Sequence, residues 1–492
     1  MPLYLVRFVQ MHESFRKAEL EALAELAGVE IEFVSYQKDS PFCIVSLPSD
    51  AAACTIISRA IISHAIYELW GQGTDYPSLH TSVKETSSHL WAQYATTPFR
   101  FAIDSFQGHV PNAAQTKLIE SFSYLSFRGP IRMRDAPLHL RIFEHYPFGS
   151  PTPSHLYLGR FLASSGRAAK TTYDLKQRHY ISTTSMDAEL ALVTANMGLA
   201  APGKLFYDPF MGTGGFPLAC AHFGASVWGS DIDGRTLRGT AGVSSIQAKR
   251  EYEAGKGIKR DVLGNFRQYG LLGNYLGGIV SDITNSPLRG CGAGGAGQGG
   301  KEQGAWLDGI VCDPPYGVRE GLRVLGTREK LTDQERDTHA DRYKEAAYIP
   351  PKRPYSFTAL LADILAFASD TLVENGRLSM WMPTANDEDY DLAIPSHPSL
   401  QIVSVCVQPF SKWSRRLLTY RRLPRTEVTG NGEESMDAVK KNENGEEVYV
   451  RPRADDLNDF RRKYFQGFRE GQQKDTQQTS SCPKPEESTQ TI

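Results

Sequence analysis

KLFYDPFMGTGGFPLACAHFG, residues 204–224, decides how the second half of the chain folds. An apolar strand, KLFYDPF, runs into a glycine-rich turn, and the turn opens a helix, GFPLACAHFG. Glycine permits a tight turn and a close approach of the backbone to a ligand. Because ligands of open α/β sheets bind beyond the carboxyl ends of the strands, this strand–turn–helix unit marks a candidate binding site.

The same alternation continues along the chain. ASVWGSDID, LGGIVSDI and WLDGIVCDPPYG read as further strands, and GRTLRGTAGVSSIQAKREY reads as a helix between two of them. A last helix, FTALLADILAFASDTLVENG, precedes the strands RLSMWMP, QIVSVCVQPF and SRRLLTYRR. Strand–helix alternation of this kind predicts a Rossmann-like, doubly wound α/β domain with a mostly parallel sheet.

The first 170 residues predict two small α+β units. In the first, the strands are LYLVRFV, IEFVSY and FCIVSLP. SFRKAELEALAELAGV is a helix with Ser14 as its candidate N-cap and Gly28 as its stop, and AAACTIISRAIISHAIYELW is a second helix. In the second, the strands FRFAIDSF, HLRIFEHYP and HLYLGRFLASS accompany the helix QTKLIESFSYLSF. Two such units ahead of a larger domain suggest modules that handle a substrate.

Composition excludes several classes of protein. The 492 residues are 40% hydrophobic and 22% charged, with a net charge of −2, so any nucleic-acid-binding surface must be local. The seven cysteines form no CxxC pair, which fits reduced thiols in the cytosol or nucleus and predicts no metal site. No signal-peptide core and no apolar run of about 18 residues is present, so we expect a cytoplasmic protein without a membrane span.

Two stretches do not predict a packed fold. Residues 288–304 contain GCGAGGAGQGG, which reads as a flexible insertion, although a phosphate-binding loop without the usual Lys-Ser/Thr end is an alternative. Residues 426–492 are polar, highly charged and poor in core residues, so most of this tail is predicted to be disordered.

DPFMGTGG, residues 208–215, is the first group of candidate site residues. The spacing departs from the dinucleotide-binding GxGxxG pattern, because position 217 is a proline. Asp208 also suits a cationic ligand, such as an amino group or a sulfonium, better than a phosphate. The alternative is a glycine turn that only closes a βα unit.

Two more acids follow predicted strands. Asp231 in GSDID could accept both ribose hydroxyls of a nucleoside cofactor, or it could belong to a helix start that Asp233 caps by itself. Asp282 in VSDI could hold an adenine amino group, or it could be a capping or turn aspartate.

CDPPYG, residues 312–317, follows the fourth strand of the domain, so Asp313 would face the same crevice. The Asp313 carboxylate and the Pro314 carbonyl can each accept an N–H from an exocyclic amine, which favours a pyramidal nitrogen with an available lone pair. Tyr316 can stack on the base, and Gly317 leaves room for it. A Pro-Pro loop that merely caps a strand is the alternative.

DPFMGTGG, GSDID and DPPYG in this order resemble the class I S-adenosylmethionine-dependent amino-methyltransferases. The segment 157–199 looks like the connection between a THUMP RNA-binding domain and its methyltransferase. FSKWSRRLLTYRR, near the end of the chain, adds to the same family resemblance. Over residues 1–425 the chain resembles the catalytic subunits of the eukaryotic tRNA guanosine-10 N2-methyltransferases. The resemblance implies a ferredoxin-like domain (1–80), a THUMP domain (81–168), a methyltransferase domain (169–425) and the tail.

The resemblance also implies roles for individual residues. The guanine N2 would attack the methyl group of S-adenosylmethionine by in-line displacement, without a metal, while Asp313, Pro314 and Tyr316 hold the flipped base. The cofactor would contact the following residues: Thr184, Ser185, Met186, Asp208, Pro209, Gly212, Gly214, Asp231, Ile232, Asp282 and Asp313.

Partners follow from the same resemblance. tRNA would be bound by basic residues that could equally be solvated charges: Arg128, Arg132, Arg134, Lys412, Arg415 and Arg416. The eukaryotic members act with a small zinc-binding activator subunit that pairs a strand with the methyltransferase sheet and covers apolar surface.

Two rival functions remain open from the sequence. The DPPY motif also occurs in adenine-N6 and other amino-methyltransferases, although the front modules favour tRNA. A catalytically silent tRNA-binding scaffold is the other alternative, and the presence of Asp208, Asp231 and Asp313 argues against it.

Overall fold

The computed structural model describes residues 1–240, 243–244, 259–288, 305–317, 322–326, 351–385, 394–411 and 413–427. They form two compact units: Met1–Asp174 with Asp187–Leu199, and Leu175–Met186 with the chain from Ala200 onward. Each unit is built around its own seven-stranded sheet. Lys412, nearly all of the glycine-rich stretch (289–304) and the tail from residue 428 lie outside the described residues.

The sheet of the first unit is mixed. Its spatial order is β2-β3-β1-β4-β7-β6-β5, and all neighbours are antiparallel except the parallel pair β5 and β6. The strands are β1 (Leu3–Phe8), β2 (Glu32–Tyr36), β3 (Phe42–Ser46), β4 (Ser63–Gly73), β5 (Phe99–Phe106), β6 (Leu138–His145) and β7 (His155–Ser164).

One face of this sheet carries the main apolar core of the unit. Tyr4 and Val6 of β1 pack with Leu20 of the first helix, while Leu140 of β6 packs in a second cluster. Alternation along each strand leaves the opposite face to a smaller, aromatic cluster and to several charged residues. The helices are α1 (Arg16–Ala27), α2 (Asp50–Arg59), α3 (Tyr76–Ser87), α4 (Trp91–Tyr94), α5 (Asn112–Glu120), α6 (Ala168–Thr172) and α7 (Ala188–Met197).

The predicted single helix over AAACTIISRAIISHAIYELW is wrong beyond Arg59. Ala60 adopts an extended conformation and ends α2, and the chain then enters β4, which pairs with both β1 and β7. The buried carboxylate of Glu19 accepts the backbone N–H groups of Ile61 and Ile62, each at 2.9 Å, and so holds the corner between helix and strand. Long-range pairing of the β-branched residues overrides the helical pattern.

The first helix begins later than predicted and ends where predicted. A 3-10 turn over Glu13–Phe15 precedes α1, so Ser14 lies inside that turn and is not the N-cap. Gly28 ends the helix with φ at +63°, a conformation that glycine adopts without strain. The domain boundary between residues 80 and 81 stays a prediction. β4 pairs with β1, which precedes that boundary, and with β7, which follows it.

The sheet of the second unit confirms the predicted doubly wound α/β fold. Its order is β12-β10-β9-β13-β16-β18-β17. β18 runs opposite to the other six strands, which all point in the same direction. The strands of this sheet are β9 (Leu205–Asp208), β10 (Ser226–Asp231), β12 (Tyr275–Val280), β13 (Leu307–Cys312), β16 (Leu372–Ala385), β17 (Leu400–Pro409) and β18 (Trp413–Arg422). Two short pairs lie outside it: β8 (Tyr180–Ile181) with β11 (Val243–Ser244), and β14 (Arg323–Leu325) with β15 (Lys352–Pro354).

Helices pack on the second sheet through a continuous apolar core. Leu360 and Ile364 lie in one buried cluster with Ile310 of β13 and Leu378 of β16. The helices are α8 (Gly215–His222), α9 (Gly234–Leu237), α10 (Val262–Gln268) and α11 (Phe357–Thr371). Among the described residues, no helix has the length and apolar character needed to cross a membrane.

Two predicted helices are shorter than expected. The helix over GRTLRGTAGVSSIQAKREY ends at Leu237, and at Gly239 φ is +79° while a Cβ would lie 1.9 Å from the Arg260 carbonyl, so a glycine turn replaces it there. The remainder, apart from β11, lies outside the described residues. The helix predicted to run to Gly376 ends at Thr371, because the following residues join β16 beside β13.

Candidate active site

Three aspartates lie at the carboxyl ends of adjacent parallel strands. Asp208 ends β9, Asp231 ends β10, and Asp313 directly follows β13, while β9 lies between the other two strands. The sheet therefore brings together three acids that are far apart in sequence, as the strand pattern predicts.

A glycine turn joins the first two acids. The Phe210 N–H donates to Asp208 Oδ1 at 2.9 Å, and the Gly212 N–H donates to Asp231 Oδ2 at 2.9 Å. Gly212 and Gly214 have φ values of +51° and +84°, which favour glycine. A Cβ on Gly212 would meet only the Phe210 carbonyl, at 3.9 Å, so open space lies beside the turn for a ligand.

The electrostatics of this cluster favour a cation. Asp208 is 1% exposed, and burial raises its pKa well above the usual range; the negative charges of Asp231 and Asp313 raise it further. Burial also raises the pKa of Asp231, although its two backbone hydrogen bonds oppose the rise. A positively charged ligand would offset the mutual repulsion of these carboxylates. The site therefore fits the sulfonium and amino groups of S-adenosylmethionine.

The other residues predicted to contact the methionine part and the ribose surround the same turn. Ser185 Oγ lies 3.0 Å from Thr213 Oγ1, which ties the Thr184–Met186 segment to the glycine turn. Met186 is buried and Thr184 is exposed. The Pro209 carbonyl accepts the Ser230 hydroxyl at 3.2 Å, and Ile232 is half-buried directly after β10.

Asp282 adopts the turn-capping arrangement that the sequence left open. Its Oδ1 accepts the backbone N–H groups of Thr284 and Asn285 at 2.8 and 3.0 Å, and its Oδ2 accepts the Leu325 N–H at 2.6 Å. The side chains of Thr284 and Asn285 also donate to it. Both carboxylate oxygens already accept hydrogen bonds from the turn and from Leu325. One of these hydrogen bonds would have to break before Asp282 could accept an adenine amino group.

Asp313, Pro314 and Tyr316 form the end of the crevice next to β13. The Tyr316 hydroxyl donates to Asp313 Oδ1, and Arg415 Nη1 lies 4.0 Å from Asp313 Oδ2. Burial raises the pKa of Asp313 to about 6, against the lowering effects of the Tyr316 hydroxyl and the Arg415 charge. A carboxyl group with this pKa can hold or accept a proton near neutral pH.

An aromatic group beside Asp313 was not singled out from the sequence. The rings of Phe410 and Trp413 stack with centroids 4.5 Å apart, and Trp413 meets Tyr316 edge-on at 6.3 Å. Arg415, predicted to bind RNA, lies over the rings of Phe410 and Trp381 at 5.4 Å from each centroid. The motif FSKWSRR could have predicted this aromatic group, because its two aromatic residues flank the turn between β17 and β18.

The remaining basic residues predicted to bind RNA differ in exposure. Arg128, Arg132 and Arg134 are exposed on the loop between the 3-10 turn at Ser123–Leu125 and β6, beside exposed Ile131 and Met133. Arg416 lies on β18, and its buried Nε has no hydrogen-bond partner in the described part of the chain. No group of three or more His, Cys, Asp or Glu residues with metal-binding geometry occurs among the described residues.

Comparison with known proteins identifies the family of this chain. The family model described as "Tmrp11 THUMP N-terminal domain" matches residues 2–167. The tRNA (guanine(10)-N(2))-methyltransferase of Saccharomyces cerevisiae is 39% identical over 85% of this chain and 93% of its own length. The proteins of that name from Schizosaccharomyces pombe and Homo sapiens are 34% and 32% identical, over 94% and 99% of this chain and 96% and 98% of their own. The chain belongs to the tRNA (guanine(10)-N(2))-methyltransferase family.

Proposed function

We propose that this chain transfers the methyl group of S-adenosylmethionine to the exocyclic N2 of guanosine 10 in tRNA. The observation that carries the proposal is the position of Asp313, with a pKa of about 6, beside Asp208 and the glycine turn. An amine acceptor and a site for a cationic cofactor thus share one crevice, within a chain whose relatives bear the name of this activity.

The glycine turn and its acids would hold the cofactor. When bound, S-adenosylmethionine supplies a methyl group that its sulfonium has already activated. Asp208, Gly212 and Gly214 would hold its methionine part, with Ser185 steadying the turn through Thr213. Additional contacts would come from Thr184, Met186, Pro209, Asp231 and Ile232. Asp282 would join them once one of the hydrogen bonds that its carboxylate accepts is broken.

Asp313 and Pro314 would orient the guanine amine. The carboxylate and the Pro314 carbonyl would each accept one N–H of the N2 group, which directs the nitrogen lone pair toward the methyl group. After transfer the nitrogen must lose a proton, and a carboxylate with a pKa of about 6 can receive it. Positioning and proton acceptance are thus assigned to one side chain.

Tyr316 would stack on the target base after the base leaves the helix of the tRNA. In the free protein the Tyr316 hydroxyl donates to Asp313, the same carboxylate that the guanine amine must reach. Trp413, edge-on to Tyr316, would extend the aromatic wall of the pocket. Extrusion of a base costs a few kcal/mol, which aromatic stacking and the two amine hydrogen bonds would offset.

The first unit would dock the tRNA, and basic residues of the second unit would add contacts. Exposed Arg128, Arg132 and Arg134, together with the side chains of Lys412 and Arg416, would contact phosphates and make binding salt-dependent. Arg415 would act differently: it lies 4.0 Å from Asp313, so it would contact the target base and not a distant phosphate. The assignment of 1–80 and 81–168 to ferredoxin-like and THUMP domains, and of 169–425 to the methyltransferase, is part of this proposal.

A zinc-binding activator subunit would pair with the edge strand β12. Within the described residues β12 ends the sheet, and its Leu276 and Val280 are 62% and 49% exposed, next to Leu272 at 43%. An edge strand with exposed apolar residues invites pairing with another chain. β17, the opposite edge, exposes Ile402 and Val403 less, at 39% and 44%.

Matched variants at the two edges would test the activator surface. We expect Leu276→Glu to lower co-purification of the activator by at least about tenfold, since it places a charge in an apolar interface. Ile402→Glu on the opposite edge should leave co-purification unchanged. If only Ile402→Glu releases the activator, the proposed edge is wrong.

The cellular location is also a proposal. No disulfide joins the described cysteines, which supports a reducing compartment such as the cytoplasm; they are Cys43, Cys54, Cys220, Cys312 and Cys406.

Nucleoside mass spectrometry of an unmodified tRNA would test the function. The chain is incubated with S-adenosylmethionine, with and without the activator, on tRNA carrying guanosine or adenosine at position 10. We expect N2-methylguanosine only with guanosine at that position. N6-methyladenosine would support the adenine-specific alternative, and cofactor binding without any methylation would support the silent scaffold.

A further inference from the structure

A basic pocket lies on the first unit's sheet, on the face opposite the main apolar core. Its volume is about 390 Å³, within the usual range for small-ligand sites. The residues that line it come from five strands: Arg7, His64, Ala65, Tyr67, Arg100, Asp104, His139, Arg141, Phe161 and Ser164. Three arginines face one aspartate there, so the pocket carries a net positive charge.

Strand alternation explains why these residues meet. In β5 the residues Phe99 and Phe101 pack into the apolar core, which turns Arg100 to the other face. In β6, Leu138 and Leu140 also pack into the apolar core, so His139 and Arg141 point to the opposite face. β5 and β6 are parallel neighbours, and their register sets Arg100 directly beside His139.

The one acid of the pocket is already neutralised. Arg7 Nε lies 3.3 Å from Asp104 Oδ2, so this ion pair adds no net charge. Arg100 and Arg141 have no carboxylate partner in the described part of the chain. Burial and these two cations lower the pKa of His139 to about 4, so its imidazole is neutral at physiological pH.

Three N–H donors around the pocket lack acceptors. Arg100 Nη2 lies 2.9 Å from His139 Nδ1; because a guanidinium only donates, Nδ1 accepts and the proton of the neutral imidazole resides on Nε2. His139 is 5% exposed, and its Nε2 has no partner among the described residues. The same holds for the buried Nε atoms of Arg100 and Arg141. Buried donors without acceptors are costly, so a ligand rich in oxygen acceptors would stabilise this arrangement.

Aromatic rings complete the pocket. Phe161 and Tyr67 meet at 5.6 Å between centroids, and the Arg141 guanidinium lies 5.7 Å from the Tyr67 centroid. Cationic donors next to aromatic faces suit a phosphate with an attached nucleoside, which needs both charge and a stacking surface.

We propose that this pocket binds a backbone phosphate of the tRNA substrate, with its adjoining nucleoside against Phe161, which is half-buried at the pocket. Arg100 Nη1 donates to the Met133 carbonyl at 3.0 Å, so the loop that carries the exposed arginines adjoins this pocket, but the arginines at 128, 132 and 134 do not line it. That the ligand is tRNA rests on the proposed function. That the ligand carries a phosphate rests on the pocket alone.

Filter binding of unmodified tRNA over a series of salt concentrations would test the proposal. Arg100→Gln and Arg141→Gln should each weaken binding about tenfold and reduce the slope of log K against log salt by roughly 0.7–0.9, the value for one lost phosphate contact. Lys17→Gln is the charge-matched control, because Lys17 lies on α1, which packs on the opposite face.

A gentler pair of variants guards against misfolding. Ser164 is exposed at the pocket, so Ser164→Asp adds a repelling charge without disturbing the core, and Ser164→Asn is its neutral isostere. We expect Ser164→Asp alone to weaken tRNA binding several-fold. Adenosine monophosphate at millimolar concentration should compete weakly with tRNA for the wild-type chain.

The outcomes separate the possible occupants. Unchanged tRNA affinity in Ser164→Asp and both arginine variants, with thermal stabilisation by adenosine monophosphate or inorganic phosphate, would mean a free-anion site and overturn the tRNA assignment. Unchanged affinity without such stabilisation would overturn anion binding altogether. Filter binding requires no catalysis, so failure of the methylation experiment would leave this test readable.

Discussion

Two seven-stranded sheets in one chain collect opposite charges. In the first unit, Arg100 and Arg141 gather on one face of the sheet with unpaired N–H donors. In the second, Asp208, Asp231 and Asp313 gather at the strand ends, and burial raises the pKa of each. Like charges accumulate at a cost, so each cluster indicates a ligand of the other sign. We propose that the first cluster holds the RNA and that the second binds the cofactor and the reacting base.

The largest expected effect comes from removing the amine acceptor. Asp313→Ala should lower the rate of methyl transfer by about 10²- to 10⁴-fold, as expected for loss of a positioned acid–base group. tRNA affinity should stay within about twofold, since most of the proposed RNA contacts are made by other residues. Asp313→Asn, which keeps one acceptor oxygen but not the charge, should be intermediate. Single-turnover kinetics and filter binding measure both quantities, and a large loss of tRNA affinity would break the separation.

A smaller effect is expected at the buried acid of the cofactor site. Because the pKa of Asp208 is raised in the folded chain, ionisation there destabilises the ligand-free protein as pH rises through that pKa. Asp208→Asn should therefore raise the Tm of the second unit at pH 8 by roughly 2–4 °C, which corresponds to about 1 kcal/mol. The gain should vanish near pH 4. Cofactor affinity should fall about 10- to 100-fold, because a charged acceptor is lost.

Asp282→Asn provides a contrast of opposite sign. Asp282 also follows a strand of the same sheet, but its carboxylate accepts several hydrogen bonds of its own turn. The substitution should lower Tm, not raise it. Calorimetry of both variants without ligand compares them directly, and a rise in Tm for both would contradict the distinction between a ligand-binding acid and a turn-capping acid.

The smallest effect concerns the pH dependence. The Tyr316 hydroxyl lowers the pKa of Asp313, so Tyr316→Phe should raise that pKa above about 6. The acid limb of the rate profile should move to higher pH, with a several-fold loss near pH 6.5 and little loss near pH 8.5. Tyr420→Phe removes a hydroxyl that donates to the Pro395 carbonyl and should leave the midpoint unchanged. A shift toward lower pH in Tyr316→Phe would contradict the assigned hydrogen bond.

The second unit could be predicted from sequence because its signals are local. The apolar strands, the glycine turn and the acids at strand ends place Asp208, Asp231 and Asp313 together by topology alone. The capping role of Asp282 could only be left open, since it depends on Leu325, which arrives from a distant segment. The same limit applies to Arg415, whose place beside Asp313 follows from the pairing of β18 with β16.

The first unit shows where sequence reasoning fails. Residues 63–70 were predicted as helix because Ala favours helix while Ile favours strand, and the pairing of β4 with β1 and β7 decides the outcome. The basic pocket was missed for a related reason. Alternation in FRFAIDSF and LHLRIFEH could have assigned Arg100, His139 and Arg141 to polar faces, but not revealed that the two strands are parallel neighbours.

The most direct test of the division between the two sheets is single-turnover methylation of tRNA guanosine-10 N2, measured across tRNA concentrations. We expect Asp313→Ala to lower the maximal rate and to leave the half-saturating tRNA concentration unchanged. Ser164→Asp should raise the half-saturating concentration and leave the maximal rate unchanged. If both variants altered the same parameter, the separation of RNA binding from chemistry would be contradicted.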